Sequence, residues 1–248
     1  MFAPWCLLVL FPFVIVATVV FATLAILGAL ISRRVGFHSG TVWAWLICQV
    51  AFIRVRVRGR EHVDPNTSYV ILANHQGMVD IVALYGYWRN QFRWVMKQEL
   101  RKVPAIGASC AALGFVFVDR SNPRRAYESL EKAKPELVDG VSVLFFPEGT
   151  RSPDGGLLPF KKGGFQMARQ LGLPILPVSI SGSWAIAPRG TVFTVPGTVD
   201  LTFHPPVDPT AYKGAEAELI ATVRTAILAG LSESERARSG GADVVNPG

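Results

Sequence analysis

Charge is scarce in this chain, and cysteine scarcer still. Only 17% of the 248 residues are Asp, Glu, Lys or Arg, against 50% apolar, a balance that leans toward a membrane rather than toward an ordinary soluble domain. There are three cysteines. Cys6 and Cys48 lie in apolar segments and Cys110 in an Ala-rich one, with no C-x-x-C pair and no histidine at zinc spacing. They read as reduced packing residues, not as a disulfide framework or a metal site. Acidic residues lag behind basic ones, leaving a formal charge of +7, so anionic partners are favoured: lipid headgroups, phosphorylated substrates or nucleic acid. No internal repeat and no second soluble domain is visible. The length suits one large domain, alone or with appendages.

What the chain does have is a long apolar run at its start. From Trp5 to Ser32 no residue is charged, and a membrane span needs only about 20 residues. No Lys or Arg precedes the run and the pair Arg33 and Arg34 comes directly after it. That order argues against a cleaved signal peptide and places the C-terminal side in the cytoplasm. Pro12 permits a bent or re-entrant helix. A second uncharged stretch, Val42 to Ile53, is too short to span; with Trp43 and Trp45 at its start it reads as a helix on or dipping into the bilayer, the alternative being a core helix. Residues 1–53 are therefore expected to anchor the chain.

From Phe52 to Gly59 apolar and basic residues alternate strictly, with Ile53, Val55 and Val57 opposed by Arg54, Arg56 and Arg58. That is the period of a half-buried strand. The arginine face either is solvated or meets anionic lipid, and it lacks the aromatic platform that single-stranded nucleic acid requires. Further short apolar runs cover Tyr69 to Ala73, Arg93 to Met96, Phe115 to Val118, Val141 to Phe146, Ile175 to Ile180 and Val199 to Phe203. Helix-like stretches fall among them, at Val79 to Trp88, Pro123 to Val138, Gly163 to Leu171 and Glu216 to Leu228. This is an α/β domain over residues 54–231. The tail, 232–248, is rich in Ser, Gly, Arg and Glu and is expected to be disordered.

Polar residues gather just after the strands. Asn74 and His75 succeed one; Asp119 and Arg120 succeed another; Pro147-Glu148-Gly149-Thr150-Arg151-Ser152 succeeds a third. Ligands in open α/β sheets sit outside the carboxyl ends of parallel strands, so these groups converge if the strands are parallel. His75 and Asp80, five apart, form either a general base with its orienting carboxylate or an ordinary turn with a helix-start Asp. The first reading needs His75 in the turn and Asp80 in the first helical turn, because residues five apart diverge within one helix. Arg151 lies in a Gly/Pro-rich loop where a guanidinium can grip a phosphate. Lys97, and Lys161 with Lys162 before a helix start, are further candidate cations or else surface lysines. His38, His62 and His204 have no such carboxylate and read as structural or surface residues.

Asn74-His75 with Asp80, Gly114 to Arg120, Phe146 to Ser152, and Pro174 to Pro177 resemble, in that order, the four motifs of the glycerolipid acyltransferases. The resemblance covers about Arg54 to Asp208 and is strongest to the bacterial 1-acylglycerol-3-phosphate acyltransferases. It implies a mostly parallel central sheet flanked by helices, behind an N-terminal helical membrane anchor. The implied reaction moves an acyl chain from acyl-CoA or acyl carrier protein to the sn-2 hydroxyl of lysophosphatidic acid, forming phosphatidic acid. His75 would be the general base and Asp80 its orienter, with no covalent acyl-enzyme. Lys97, Arg120, Glu148, Gly149, Thr150 and Arg151 would shape the acceptor site, and Pro177 the acyl or acceptor pocket. No metal or redox cofactor is implied, and the partners are membrane lipids rather than nucleic acid. The implied location is the bacterial inner membrane, with the site on the cytoplasmic side. Backbone amides near Gly77 are the expected oxyanion donors. Two alternatives stay open: another lysolipid acceptor such as lyso-ornithine lipid, or a non-catalytic basic lipid-binding protein.

Overall fold

The computed structural model describes residues 2–119, 128–129 and 131–240. Its strands are β1 (Ile53–Arg58), β2 (Val70–Ala73), β3 (Phe92–Lys97), β4 (Val116–Val118), β5 (Ser142–Phe145), β6 (Ile175–Ser181) and β7 (Gly197–Phe203), in one sheet of order β1-β7-β6-β2-β5-β3-β4. Each falls within about two residues of the apolar run that predicts it. The five strands from β6 to β4 are mutually parallel. β7 runs antiparallel to β6, and β1 parallel to β7, so this edge pair is reversed. Parallel strands demand a long crossover, usually helical, whereas the link from β6 to β7 lets the chain double back.

The sheet pattern reflects burial. β2 and β6 are buried at every position, and their runs, apolar but for Ser179 and Ser181 of β6, are what a strand covered on both faces needs. β1 instead alternates, its arginines outward, and Arg56 pairs with Asp200 of β7 at 2.5 Å. One sheet face, with Ile71, Ala73, Leu144 and Ile180, packs against the N-terminal helices and α3 (Val79–Tyr87). The other, with Val70, Leu72, Val143 and Ile175, packs against α5 (Gly163–Leu171) and α7 (Glu216–Ala229). The result is an α/β fold of three layers with a mostly parallel sheet.

Ahead of the sheet, α1 (Ala3–Ile31) is long and apolar enough to cross a membrane. Its small residues Ala17, Ala22, Ala25 and Gly28 are buried, while Leu8, Ile15, Val16, Leu30 and Ile31 point outward. The small stripe lets α2 (Arg33–Val50) approach until a Cβ on Gly28 would lie 2.9 Å from the Gly36 backbone. Ser32 turns the corner, its hydroxyl capping α2 at the Val35 amide, 3.2 Å. The helix expected over Val42 to Ile53 is present as far as Val50. It is the second half of α2, and Ala44, Ile47 and Cys48 are buried against the sheet layer and α3. Only a flank with Val42 and Trp45 remains outward. Residues 1–53 and the sheet thus share one core.

The expected disorder of 232–248 is also corrected for its first part. Ser232 and Glu235 form a reciprocal capping box at the start of α8 (Glu233–Arg238), and Glu235 is buried. Composition alone concealed this helix-start pattern. Arg120 and part of the helix expected over Pro123 to Val138, residues 123–127 and 130, lie outside the described residues.

Candidate active site

β2 ends at Ala73, and Asn74 anchors the turn beyond it. Its buried side chain spans to β6, donating to the Ile180 carbonyl at 2.8 Å and accepting from the Ile180 amide at 2.7 Å. His75 lies in the ensuing turn and Asp80 in the first turn of α3, the arrangement the five-residue spacing demands. Nδ1 of His75 is 2.7 Å from Oδ2 of Asp80. The same oxygen accepts from the Gln76 and Gly77 amides at 2.6 and 2.8 Å. Oδ1 accepts from the Ser183 hydroxyl, which opens α6 (Ser183–Ile186) after β6. Asp80 is fully buried, so its charge is held by donors rather than by water. A carboxylate at Nδ1 puts the ring proton there and leaves Nε2 as the basic nitrogen. The imidazole is stacked on Phe146 at 3.9 Å between centroids. Of the backbone amides near Gly77 expected as oxyanion donors, those of Gln76 and Gly77 are directed at Asp80.

Glu148 does not face a substrate space. It is buried, and its carboxyl accepts from the backbone amides of His75 at 2.6 Å and Leu158 at 2.9 Å. Burial pushes its pKa up to about 8 against the opposing pull of those two bonds. It therefore pins the His75 backbone, and it is not among the residues lining the cavity beside His75. Gly149 sits at φ 72°, in the left-handed region that favours glycine. Pro177 is corrected as well: it is buried in the middle of β6, paired with Leu72, and its carbonyl accepts from the His204 amide at 3.0 Å. It contributes to the sheet and is not among the cavity's lining residues.

One cavity of about 610 Å³ opens beside His75, within the range of small-ligand sites. Lys97, Gly149, Thr150 and Arg151 line it, joined by Arg189. Arg189 donates to the Arg151 carbonyl at 3.2 Å. Among the described residues, none of Lys97, Arg151 and Arg189 has a carboxylate within salt-bridge distance. Deeper in, the walls are apolar: Ile81, Trp94, Leu113 and Phe115, then Phe21, Ala22 and Ala25 of α1. Trp43 and Thr18 also line it and are joined by a 3.1 Å hydrogen bond. Lys162 is turned elsewhere, toward Glu216 at 3.5 Å. Sequence reasoning missed Arg189, Ser183 and Gln76. Among the described residues no group of three His, Cys, Asp or Glu side chains is arranged to hold a metal ion.

A model of the Acyltransferase family matches residues 54–181, and the chain belongs to that family. Its relatives are more particular. The chain is 38% identical to a 1-acyl-sn-glycerol-3-phosphate acyltransferase of Pseudomonas aeruginosa, over 65% of this chain and 62% of that protein. It is 31% identical to one of Chlamydomonas reinhardtii, over 84% and 63% respectively. The crystal structure of the 1-acyl-sn-glycerophosphate (LPA) acyltransferase PlsC from Thermotoga maritima superposes with a TM-score of 0.77 at 31% identity, covering 88% of this chain and 90% of that one. The chain spans about half to two thirds of the length of several curated relatives it matches.

Proposed function

We propose that the protein acylates the sn-2 hydroxyl of 1-acylglycerol-3-phosphate from a thioester donor, acyl-CoA or acyl carrier protein, giving phosphatidic acid. One observation carries the reading. The base His75, three cations without carboxylate partners among the described residues and an apolar interior all line a single cavity. That combination suits an acceptor with a hydroxyl to deprotonate, a phosphate to hold and a chain to bury.

In the proposed reaction, Nε2 of His75 takes the hydroxyl proton as the oxygen attacks the thioester carbonyl. Asp80, 2.7 Å from Nδ1, stabilises the imidazolium that forms. Collapse of the tetrahedral intermediate expels the thiolate, and the imidazolium returns its proton to that sulfur. Lys97, Arg151 and Arg189 hold the phosphate, and no metal or redox cofactor enters the reaction. α1 inserts in the inner membrane, with Arg33 and Arg34 at its cytoplasmic end, so that lipid reaches the cavity from the bilayer.

The test crosses acyl-CoA and acyl carrier protein donors with lysophosphatidic acid, lysophosphatidylcholine and lyso-ornithine lipid, using purified protein in detergent. The expected result is transfer to lysophosphatidic acid at least tenfold faster than to the others. Transfer to lyso-ornithine lipid with none to lysophosphatidic acid would overturn the proposal.

A further inference from the structure

The proposed reaction uses His75 and Asp80 but assigns no task to a buried carboxylate behind them. Glu235, on α8 near the far end of the described chain, is only 3% exposed. Five donors converge on it. Oε1 accepts from the Gln76 side chain at 2.9 Å and the Gly182 amide at 2.8 Å. Oε2 accepts from the Ser181 hydroxyl at 2.5 Å, and from the Ser232 amide and hydroxyl, both at 2.9 Å. A helix cap needs only the Ser232 bonds. The remaining three belong to the turn after β2 and to the end of β6 with the turn beyond it, the segments that lead into His75 and into Ser183, the partner of Asp80.

The connection has a direction fixed by hydrogen-bond chemistry. A carboxylate only accepts, so Glu235 compels Gln76 to present its NH2 group. The same NH2 group also donates to the Gly155 carbonyl at 2.9 Å. The Gln76 amide oxygen must then face the other way, where the Ser183 hydroxyl at 3.0 Å and the Trp184 amide at 3.3 Å meet it. The single proton of that hydroxyl is shared between the Gln76 oxygen and the nearer Oδ1 of Asp80. Burial pushes the Glu235 carboxyl up, but its hydrogen bonds outweigh burial and hold it below the usual carboxylate range.

We infer that Glu235 is a positioning residue for acyl transfer, acting through Gln76 and Ser183 to orient Asp80 and hence the base. The inference rests on the proposed role of His75 and Asp80. A glutamine at 235 carries one acceptor oxygen where the carboxylate has two, and both positions face a backbone donor, the Gly182 and Ser232 amides, so no orientation of its amide satisfies the site. The side chain must shift, the Gln76 amide loses its fixed acceptor, and Ser183 loses its guide. A misplacement of this kind, well away from the reacting atoms, costs about tenfold to a hundredfold in rate.

The experiment is a double-mutant cycle on the full chain, Glu235→Gln with Ser183→Ala, paired with proton NMR of the His75 Nδ1–H, a downfield signal assigned by its loss in His75→Ala. The expected result is a tenfold to hundredfold fall in kcat for Glu235→Gln with KM for both substrates unchanged. In the Ser183→Ala background the same substitution should cost less than threefold, since the two act on one path. The Nδ1–H signal should shift or broaden in Glu235→Gln. Glu235→Asp, which keeps an acceptor, should recover part of the rate. Equal losses in both backgrounds, or an unmoved Nδ1–H signal, would overturn the inference and leave Glu235 as a helix cap. The NMR arm reads the connection without any substrate, so its failure is separable from inactivity of the wild type toward lysophosphatidic acid, which would reject the functional proposal instead.

Discussion

Replacing Asp80 by Asn separates two things that a carboxylate beside a histidine can do. Oδ2 receives three donors: the Gln76 and Gly77 amides and His75 Nδ1. Two of these are backbone groups that cannot reverse, so the Asn oxygen must take the Oδ2 position. Its NH2 group then faces Ser183, whose hydroxyl can rotate to accept it while donating to the Gln76 side chain. Orientation and tautomer of His75 are therefore preserved, and only the charge is lost. A carboxylate and an imidazolium about 4 Å apart, centre to centre, interact by about 4 kcal/mol at the effective dielectric of protein sites. That is about a thousandfold in rate if it acts only in the transition state. The assay is steady-state transfer of a radiolabelled acyl chain to lysophosphatidic acid by wild type and variant at one pH. The expected outcome is a fall in kcat of about a hundredfold to a thousandfold with KM nearly unchanged. A loss below tenfold would refute the electrostatic role and leave Asp80 as an orienter only.

Three further outcomes are expected. Arg189→Gln should raise KM for lysophosphatidic acid by about tenfold or more, as loss of a charge-assisted bond predicts, while leaving the rate with saturating acceptor nearly intact. Ala25→Phe fills the α1 end of the cavity and should shift the products toward shorter chains, read by mass spectrometry after competition among donors of different length. Glu148, pushed up to about 8 from 4.5, binds its proton more tightly folded than unfolded. Its contribution to stability is full below about pH 4.5 and is lost as the pH rises through about 8. Glu148→Gln has no such proton, so the melting temperature of the wild type relative to this variant should decline from pH 5 to pH 8.

The sheet was legible because burial on both faces writes itself into sequence. Runs such as Val70 to Ala73 and Ile175 to Ile180 are almost wholly apolar, with Ser179 the one polar residue in them, and β1 announces its edge position through alternating arginines. The His75–Asp80 pairing was legible for a related reason, since strand-end turns have few residues to choose among. The reversal of β1 and β7 was not legible, because apolar periodicity carries no sense of direction. Ser183, Gln76, Arg189 and Glu235 escaped too. Each is of a common type, and three of them join the His75 turn from more than 100 positions away along the chain. Among the amides near Gly77, those of Gln76 and Gly77 already serve Asp80, an engagement that spacing alone does not reveal.

The central claim is that Nε2 of His75 removes the proton from an acceptor hydroxyl. His75→Ala should abolish acyl transfer to lysophosphatidic acid, to below about a thousandth of the wild-type kcat, while the variant still binds lysophosphatidic acid with an affinity within about threefold of wild type. Full transferase activity in His75→Ala, with the same acceptor and donor, would contradict it.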